Sequence, residues 1–306
     1  MEGFRHEALL YSGEQEFLDG TVRFITDAVA AGDPLLVVVD HPKHELLRSH
    51  LGSADGLVLK DMREVGDNPA RIIPAWREFV ADHAGPGRRL RGIGEPIGPD
   101  RGSAELRECH RHEALLNLAF ADADDFWLLC PYDTDTLDPA VIEEAHHTHP
   151  YVLGGRGHRV STAWSGPENA SLPFAEALPE PAGEPRDLHF DIQTLPLLRR
   201  FVARLARNTL FDEDRVTDLQ LAVNEVATNS IKHGGGHGVL RIWREPDRLV
   251  CEVLDRGTIE DPLAGRTLPD TGATSGHGLW IANQVCDLVQ LRSFREGSVV
   301  RLHMRA

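Results

Sequence analysis

Asn224 to Gly235 reads NEVATNSIKHGG and places an acid, an amide and an imidazole at Glu225, Asn229 and His233, each four residues after the last. Residues four apart share one face of a helix, so these three side chains are expected over a single patch. Beside them runs an apolar seam, Val216, Leu219, Val223 and Val226, closing at Ser230. The pattern predicts a helix that begins after Asp212 and buries one side. Its polar stripe is either a solvated face or a site. Gly234, Gly235 and Gly236 are expected to end the helix with a left-handed cap.

Working outward, an amphipathic helix is predicted at 194–208, ahead of this one. Behind it, GVLRIWRE (238–245) and RLVCEVLD (248–255) read as a hairpin turning at Pro246-Asp247. A stretch rich in glycine and proline, GTIEDPLAGRTLPDTGATSGHG, then leads to a helix at 278–287. Strands at 288–294 and 298–305 follow, joined through Arg295-Glu296-Gly297. The result is an α+β sandwich with helices on one side of a largely antiparallel sheet.

Three features line up along this half: Glu225 and Asn229 on the helix, Asp255 and Gly257 at a strand end, and Gly276-His277-Gly278-Leu279 opening the last helix. The Asn229 oxygen suits Mg²⁺, which takes a few oxygen ligands together with nucleotide phosphates. A carboxylate at Asp255 can accept a hydrogen bond from an exocyclic amine such as that of adenine. Gly276 and Gly278 let phosphate oxygens approach bare amides at a helix start. Glu225, one turn from the metal ligand, is placed to orient or deprotonate an attacking hydroxyl. Each feature alone has an ordinary reading as a solvated face, a turn or a loop. A Rossmann reading of GHGLWI fails for want of its third glycine and its strand-to-helix unit.

Together, E-x-x-x-N-x-x-x-H, a strand ending D-x-G, and G-x-G-L before a helix resemble the Bergerat ATP-binding fold of the GHKL superfamily. The compact size resembles the anti-sigma-factor serine/threonine kinases within it. The resemblance spans residues 190–306. It implies Glu225 as catalytic base, Asn229 as Mg²⁺ ligand, Asp255 as adenine reader, and Gly257, Gly276, His277, Gly278 and Leu279 around the nucleotide. It also implies ATP and Mg²⁺ as cofactors, a sigma factor or anti-sigma-factor antagonist as partner, and a homodimer as a common family state. One departure is Ile259, where the family has the second glycine of D-x-G-x-G; it bears on the lid over the phosphates and so on turnover.

In the first half, apolar runs at 6–12, 34–40, 56–62, 88–94 and 126–133 alternate with helical stretches at 14–31, 42–51, 69–84, 102–120 and 138–147. Such alternation predicts a mostly parallel sheet covered on both faces. No G-x-x-x-x-G-K-[ST] occurs in the sequence, so this half lacks a Walker A phosphate loop. RHEALLYSG, LLVVVD and WLLCPYD resemble MEDS sensory domains over residues 4–150, which implies a RecA-like core and a small-molecule signal that the motif does not specify. Pro, Gly, Ala and Glu crowd the stretch from Ser165 to Asp187. The expected layout is therefore a sensory domain at 1–164, a linker at 165–187 and an ATPase domain at 188–306.

Competing signals are weaker. His112 in RHEALLNL superficially resembles a histidine-kinase phosphoacceptor, but a proline-rich linker stands where its dimerising hairpin belongs. Neither Cys109, His110 and His112 nor His146, His147 and His149 has four-ligand zinc spacing, and core-packed or solvated side chains explain both groups. Trp76, Trp127 and Tyr132 fit a core as well as a ligand pocket. With 306 residues, 41% hydrophobic and 26% charged, the chain is long enough for two packed domains. A net charge of −16 argues against direct nucleic-acid or anionic-membrane binding. Four dispersed cysteines and no secretion signal favour a cytoplasmic regulator. Its sensor would control a kinase module, with a catalytically silent, nucleotide-gated binding module as the alternative.

Overall fold

The computed structural model describes residues 3–52, 57–85, 87–155, 157–164, 166–167, 176–181, 183–209, 211–269 and 276–305. The chain divides into two units, residues 1–170 and 171–306. Among the described residues, no helix is long and apolar enough to cross a membrane.

Unit one is an α/β layer. Its strands are β1 (Phe4–Tyr11), β2 (Leu35–Val39), β3 (Leu57–Asp61), β4 (Leu90–Gly94), β5 (Phe126–Asp133), β6 (Tyr151–Gly154) and β7 (Gly157–Val160), in the sheet order β3-β2-β4-β5-β1-β6-β7. Every pairing is parallel except β6 with β7. The helices are α1 (Gly13–Ala31), α2 (His41–Leu51), α3 (Met62–Gly66), α4 (Ile72–His83), α5 (Ser103–Ala119) and α6 (Pro139–Thr148). All five residues of β2, LLVVV, are buried, as a central strand covered on both faces requires. Where one helix was predicted at 69–84, a 3₁₀ turn at Pro69–Arg71 precedes α4, and the separate α3 lies upstream. Neither β6 nor β7 is evident in the sequence, because strands of four residues carry too few side chains to show a period.

Trp76 is core rather than pocket. Its side chain is 1% exposed and lies against Gly92, where a Cβ would come within 2.7 Å of the ring. Trp76→Ala is expected to cost about 3–5 kcal/mol through lost contacts and a residual cavity, read as a lower urea midpoint. Tyr132 is also buried. Trp127 is partly buried and carries the guanidinium of Arg5 4.2 Å from its ring centroid.

Unit two places α7 (Leu195–Arg207), α8 (Glu213–His233) and α9 (His277–Val285) with an antiparallel sheet ordered β11-β12-β10-β9-β8. Its strands are β8 (Arg186–Asp191), β9 (His237–Arg244), β10 (Arg248–Asp255), β11 (Leu288–Phe294) and β12 (Gly297–Arg305). The seam of α8 lies in one core with Leu198 and Val202 of α7 and Leu240, Cys251, Val253 and Leu302 of the sheet. Asp212 caps α8 by accepting from the Arg215 amide at 2.8 Å. At the other end Gly234 has φ −101°, so the left-handed residues are Gly235 and Gly236 and not the cap itself.

The linker reading of 165–187 needs correction at its second end. β8 begins at Arg186, and residues 176–181 reach the sheet's second face: Arg292 donates to the Glu176 carbonyl at 3.0 Å and Arg301 to the Pro179 carbonyl at 2.8 Å. On that face the carboxylate of Glu252, 2% exposed, accepts from Arg241 at 3.2 Å and Arg301 at 2.7 Å.

Candidate functional site

In unit two the site is assembled where α8 meets the first turn of α9 and the end of β10. Glu225 and Asn229, both half-buried, face Gly278. A Cβ on Gly278 would stand 2.9 Å from Asn229 Nδ2 and 3.2 Å from Glu225 Oε2, so only glycine leaves that space open. Asn224 donates weakly to Glu225 Oε1 at 3.4 Å. Gly276, at φ +95°, is the N-cap of α9 and offers no side chain to its first amides. His277 is exposed, and Leu279 packs against the core behind the site.

Asp255 ends β10 in a network the sequence reading missed. Its Oδ1 accepts from the Gly257 amide at 2.8 Å and Ser298 Oγ at 3.0 Å, and its Oδ2 from Ser230 Oγ at 2.6 Å. A carboxylate has about four acceptor positions, so these bonds leave one on Oδ2. Gly257 sits where a Cβ would come within 2.7 Å of the His233 carbonyl, which binds the D-x-G turn closely to the end of α8. The His233 side chain is exposed.

Ile259 adopts no left-handed conformation; among the described residues Asp125 is the one non-glycine with positive φ. Instead, its amide donates to Ser293 Oγ at 2.8 Å and its side chain packs against the core. Downstream, Asn283 of α9 donates to the Gly265 carbonyl at 2.9 Å, tying the segment after Ile259 to the helix that borders the site. Residues 270–275, part of the glycine-rich approach to α9, lie outside the described residues.

The residues present fit a magnesium nucleotide. The Glu225 carboxylate and the Asn229 amide border a cradle that any Cβ at Gly278 would fill, and an acceptor position remains free on Asp255. Ser230, Ser293, Ser298 and Asn283 position these groups. They stand among other polar residues on a helix or strand, with no spacing signal to mark them in the sequence.

Unit one has a cleft of about 500 Å³ at the carboxyl ends of its strands, lined by Tyr11, Phe17, Pro42, Lys43, Leu46 and Asp133 among others. Glu95, buried just after β4, accepts from Tyr11 Oη at 2.9 Å and Lys43 Nζ at 2.7 Å. Burial raises the Glu95 carboxyl to about 7, against the opposing pull of the Lys43 ammonium and the Tyr11 hydroxyl. The folded value lies above the unfolded one, so the stability contributed is present below about pH 4.5 and is lost as pH rises to about 7. Glu95→Gln keeps the neutral form at every pH. Between pH 5 and 8 the stability difference is expected to move toward the variant by up to about 3 kcal/mol, measured by urea unfolding of both proteins.

His112 is 1% exposed inside α5 and is sealed from any phosphoryl donor in the folded chain. Cys109, His110 and His112 do not converge, and Cys109 Sγ instead lies 3.4 Å from the Pro96 carbonyl. Of His146, His147 and His149, only the last joins a cluster of metal-binding side chains among the described residues.

Residues 5–150 match the MEDS family, the methanogen/methylotroph DcmR sensory domain, and residues 188–304 match the histidine kinase-like ATPase domain. No curated protein matches the chain. Among solved structures, the RsbU and RsbW domains of a Mycobacterium tuberculosis protein are similar at 18% identity with a TM-score of 0.30. That likeness covers 39% of this chain and 32% of the other, too little and too loose to bear on the site.

Proposed function

We propose that this chain, which joins a MEDS sensory domain to a histidine kinase-like ATPase domain, is a signalling regulator. Its second half, a Bergerat-type fold, binds MgATP and phosphorylates a serine or threonine on a partner protein. The meeting of Glu225, Asn229 and Gly278 at the start of α9, with Asp255 at the end of β10, carries this reading. When bound, MgATP supplies the transferable phosphoryl group. Asn229 offers its side-chain oxygen to the metal, and Asp255 Oδ2 accepts from the adenine amine. The amides that follow Gly276, at the helix N-terminus, would hold the phosphates. Glu225 accepts the proton of the target hydroxyl.

The partner class we favour is an anti-sigma-factor antagonist or a sigma factor, and the cleft at the carboxyl ends of the unit-one strands is where a small signal molecule would bind. Incubation of the chain with labelled ATP and candidate antagonists tests the proposal: label on the antagonist supports transfer, and absence of ATP binding by calorimetry removes it. Ile259 motivates a second reading. Its side chain is anchored to the core and its amide to Ser293, so the lid has a bulky root where a glycine would bend freely. A nucleotide-gated binding module would bind ATP without transfer, and its partner affinity would differ between ADP and ATP.

A further inference from the structure

Four side chains from separate segments of unit one converge in its interior: His6 on β1, Glu113 on α5, Cys130 on β5 and His149 directly after α6. Each is at most 1% exposed, and their donor atoms all lie within 4.8 Å of one another. His6 Nε2 is 3.1 Å from Glu113 Oε2 and 3.4 Å from Cys130 Sγ, and His149 Nε2 is 3.2 Å from the same Glu113 oxygen. Donors bound at zinc distances in a tetrahedron stand about 3.3–3.8 Å apart. Three of the six donor pairs stand at 3.1, 3.2 and 3.4 Å and the others lie within 4.8 Å, so side-chain rotations within the cluster bring these four onto one ion.

The hydrogen bonding around the rings strengthens the case. His6 Nδ1 faces Asn117 Oδ1 at 3.3 Å, and the Asn117 amide is turned that way because its Nδ2 donates to the Thr148 carbonyl at 2.9 Å. His149 Nδ1 lies 2.9 Å from the Ala145 carbonyl. Carbonyl oxygens only accept, so both Nδ1 atoms carry hydrogen, and in neutral rings both Nε2 lone pairs aim at the Glu113 carboxylate. Lone pairs facing a carboxylate repel unless a cation lies between them. Consistent with a missing partner, Glu113 Oε1 and His149 Nε2 are buried without a hydrogen bond. The ion-pair partners of Glu113 among the described residues are the two histidines, with no lysine or arginine.

We propose that His6, Glu113, Cys130 and His149 form a closed metal site for one divalent late first-row cation of the zinc type. Two imidazoles and a thiolate select such ions over Mg²⁺ and Ca²⁺. On binding, the Cys130 S–H bond breaks, its proton leaves to solvent and a metal–sulfur bond forms. The dication, one carboxylate and one thiolate then sum to zero charge in the interior. Asn117 and the Ala145 carbonyl hold the rings from behind, the outer support that histidine ligands require. The site stands apart from the nucleotide reading.

The test uses the full chain produced with cobalt or zinc in the medium. Expected are one equivalent of metal per chain and, for cobalt, thiolate-to-metal charge-transfer absorption with the strong d–d bands of a tetrahedral centre. Cys130→Ser is expected to lose the charge-transfer band, and Glu113→Gln to keep it with affinity reduced at least about tenfold. Of the four cysteines only Cys130 belongs to a metal-binding cluster among the described residues. The wild-type cobalt spectrum therefore decides the matter even where a variant fails to fold. No metal with cobalt in excess overturns the proposal. So does metal without a thiolate band, which would place the ion at His41, His44 and Glu45 on the surface.

Discussion

Glu225→Gln is expected to lower phosphoryl transfer to a protein antagonist by about 100- to 10,000-fold while leaving MgATP affinity within about threefold. The side chain stays the same size beside Gly278, so the cradle keeps its shape. The lost property is chemical: an amide oxygen cannot take up the proton of an attacking hydroxyl. Initial rates with labelled ATP give the transfer term, and calorimetry gives the binding term. Equal rates for the two proteins would remove Glu225 as base. A wild-type chain that binds ATP and transfers nothing would favour the nucleotide-gated module.

Asp255→Asn is expected to weaken ATP binding by about 10- to 100-fold, the loss of one charge-assisted hydrogen bond. Three protein donors already hold the carboxylate, so its remaining acceptor position is fixed in direction. An asparagine must present an NH₂ group to some of those donors or to the nucleotide, and either choice sets donor against donor. Because the same change disturbs Ser230, Ser298 and the Gly257 amide, the unfolding temperature without nucleotide is expected to fall slightly. Calorimetry with ATP at a temperature where both proteins are folded separates the effects, and unchanged affinity would detach Asp255 from adenine recognition.

The two predictions rest on residues legible in the sequence for a physical reason. Glu225 and Asn229 are spaced by a helical turn, and Gly276 and Gly278 open an apolar helix, so local pattern placed them on the elements where they stand. The serines that hold Asp255 and Ile259 were not legible, because Ser230, Ser293 and Ser298 come from a helix and two strands whose alignment is fixed only by sheet register. His6, Glu113, Cys130 and His149 were hidden for the same reason: parallel pairing of β1 with β5 sets His6 opposite Leu128 and Ala8 opposite Cys130, a relation no spacing rule encodes. β8 escaped notice because only Leu188 and Phe190 point inward from a polar edge strand. Arg292, Arg301 and Glu252 alternate with apolar residues and read as the wet side of a sheet, yet each is at most 6% exposed.

The segment at 176–181 has a practical bearing on dissecting this protein. A fragment cut to begin at residue 188, where the ATPase family match starts, would strip the Glu176 and Pro179 carbonyls from Arg292 and Arg301 and uncover the Arg301 guanidinium beside Glu252. Isolated second units are therefore best started upstream of Glu176. Poor behaviour of a shorter piece would reflect a torn cover on its back, not a defect in its nucleotide chemistry.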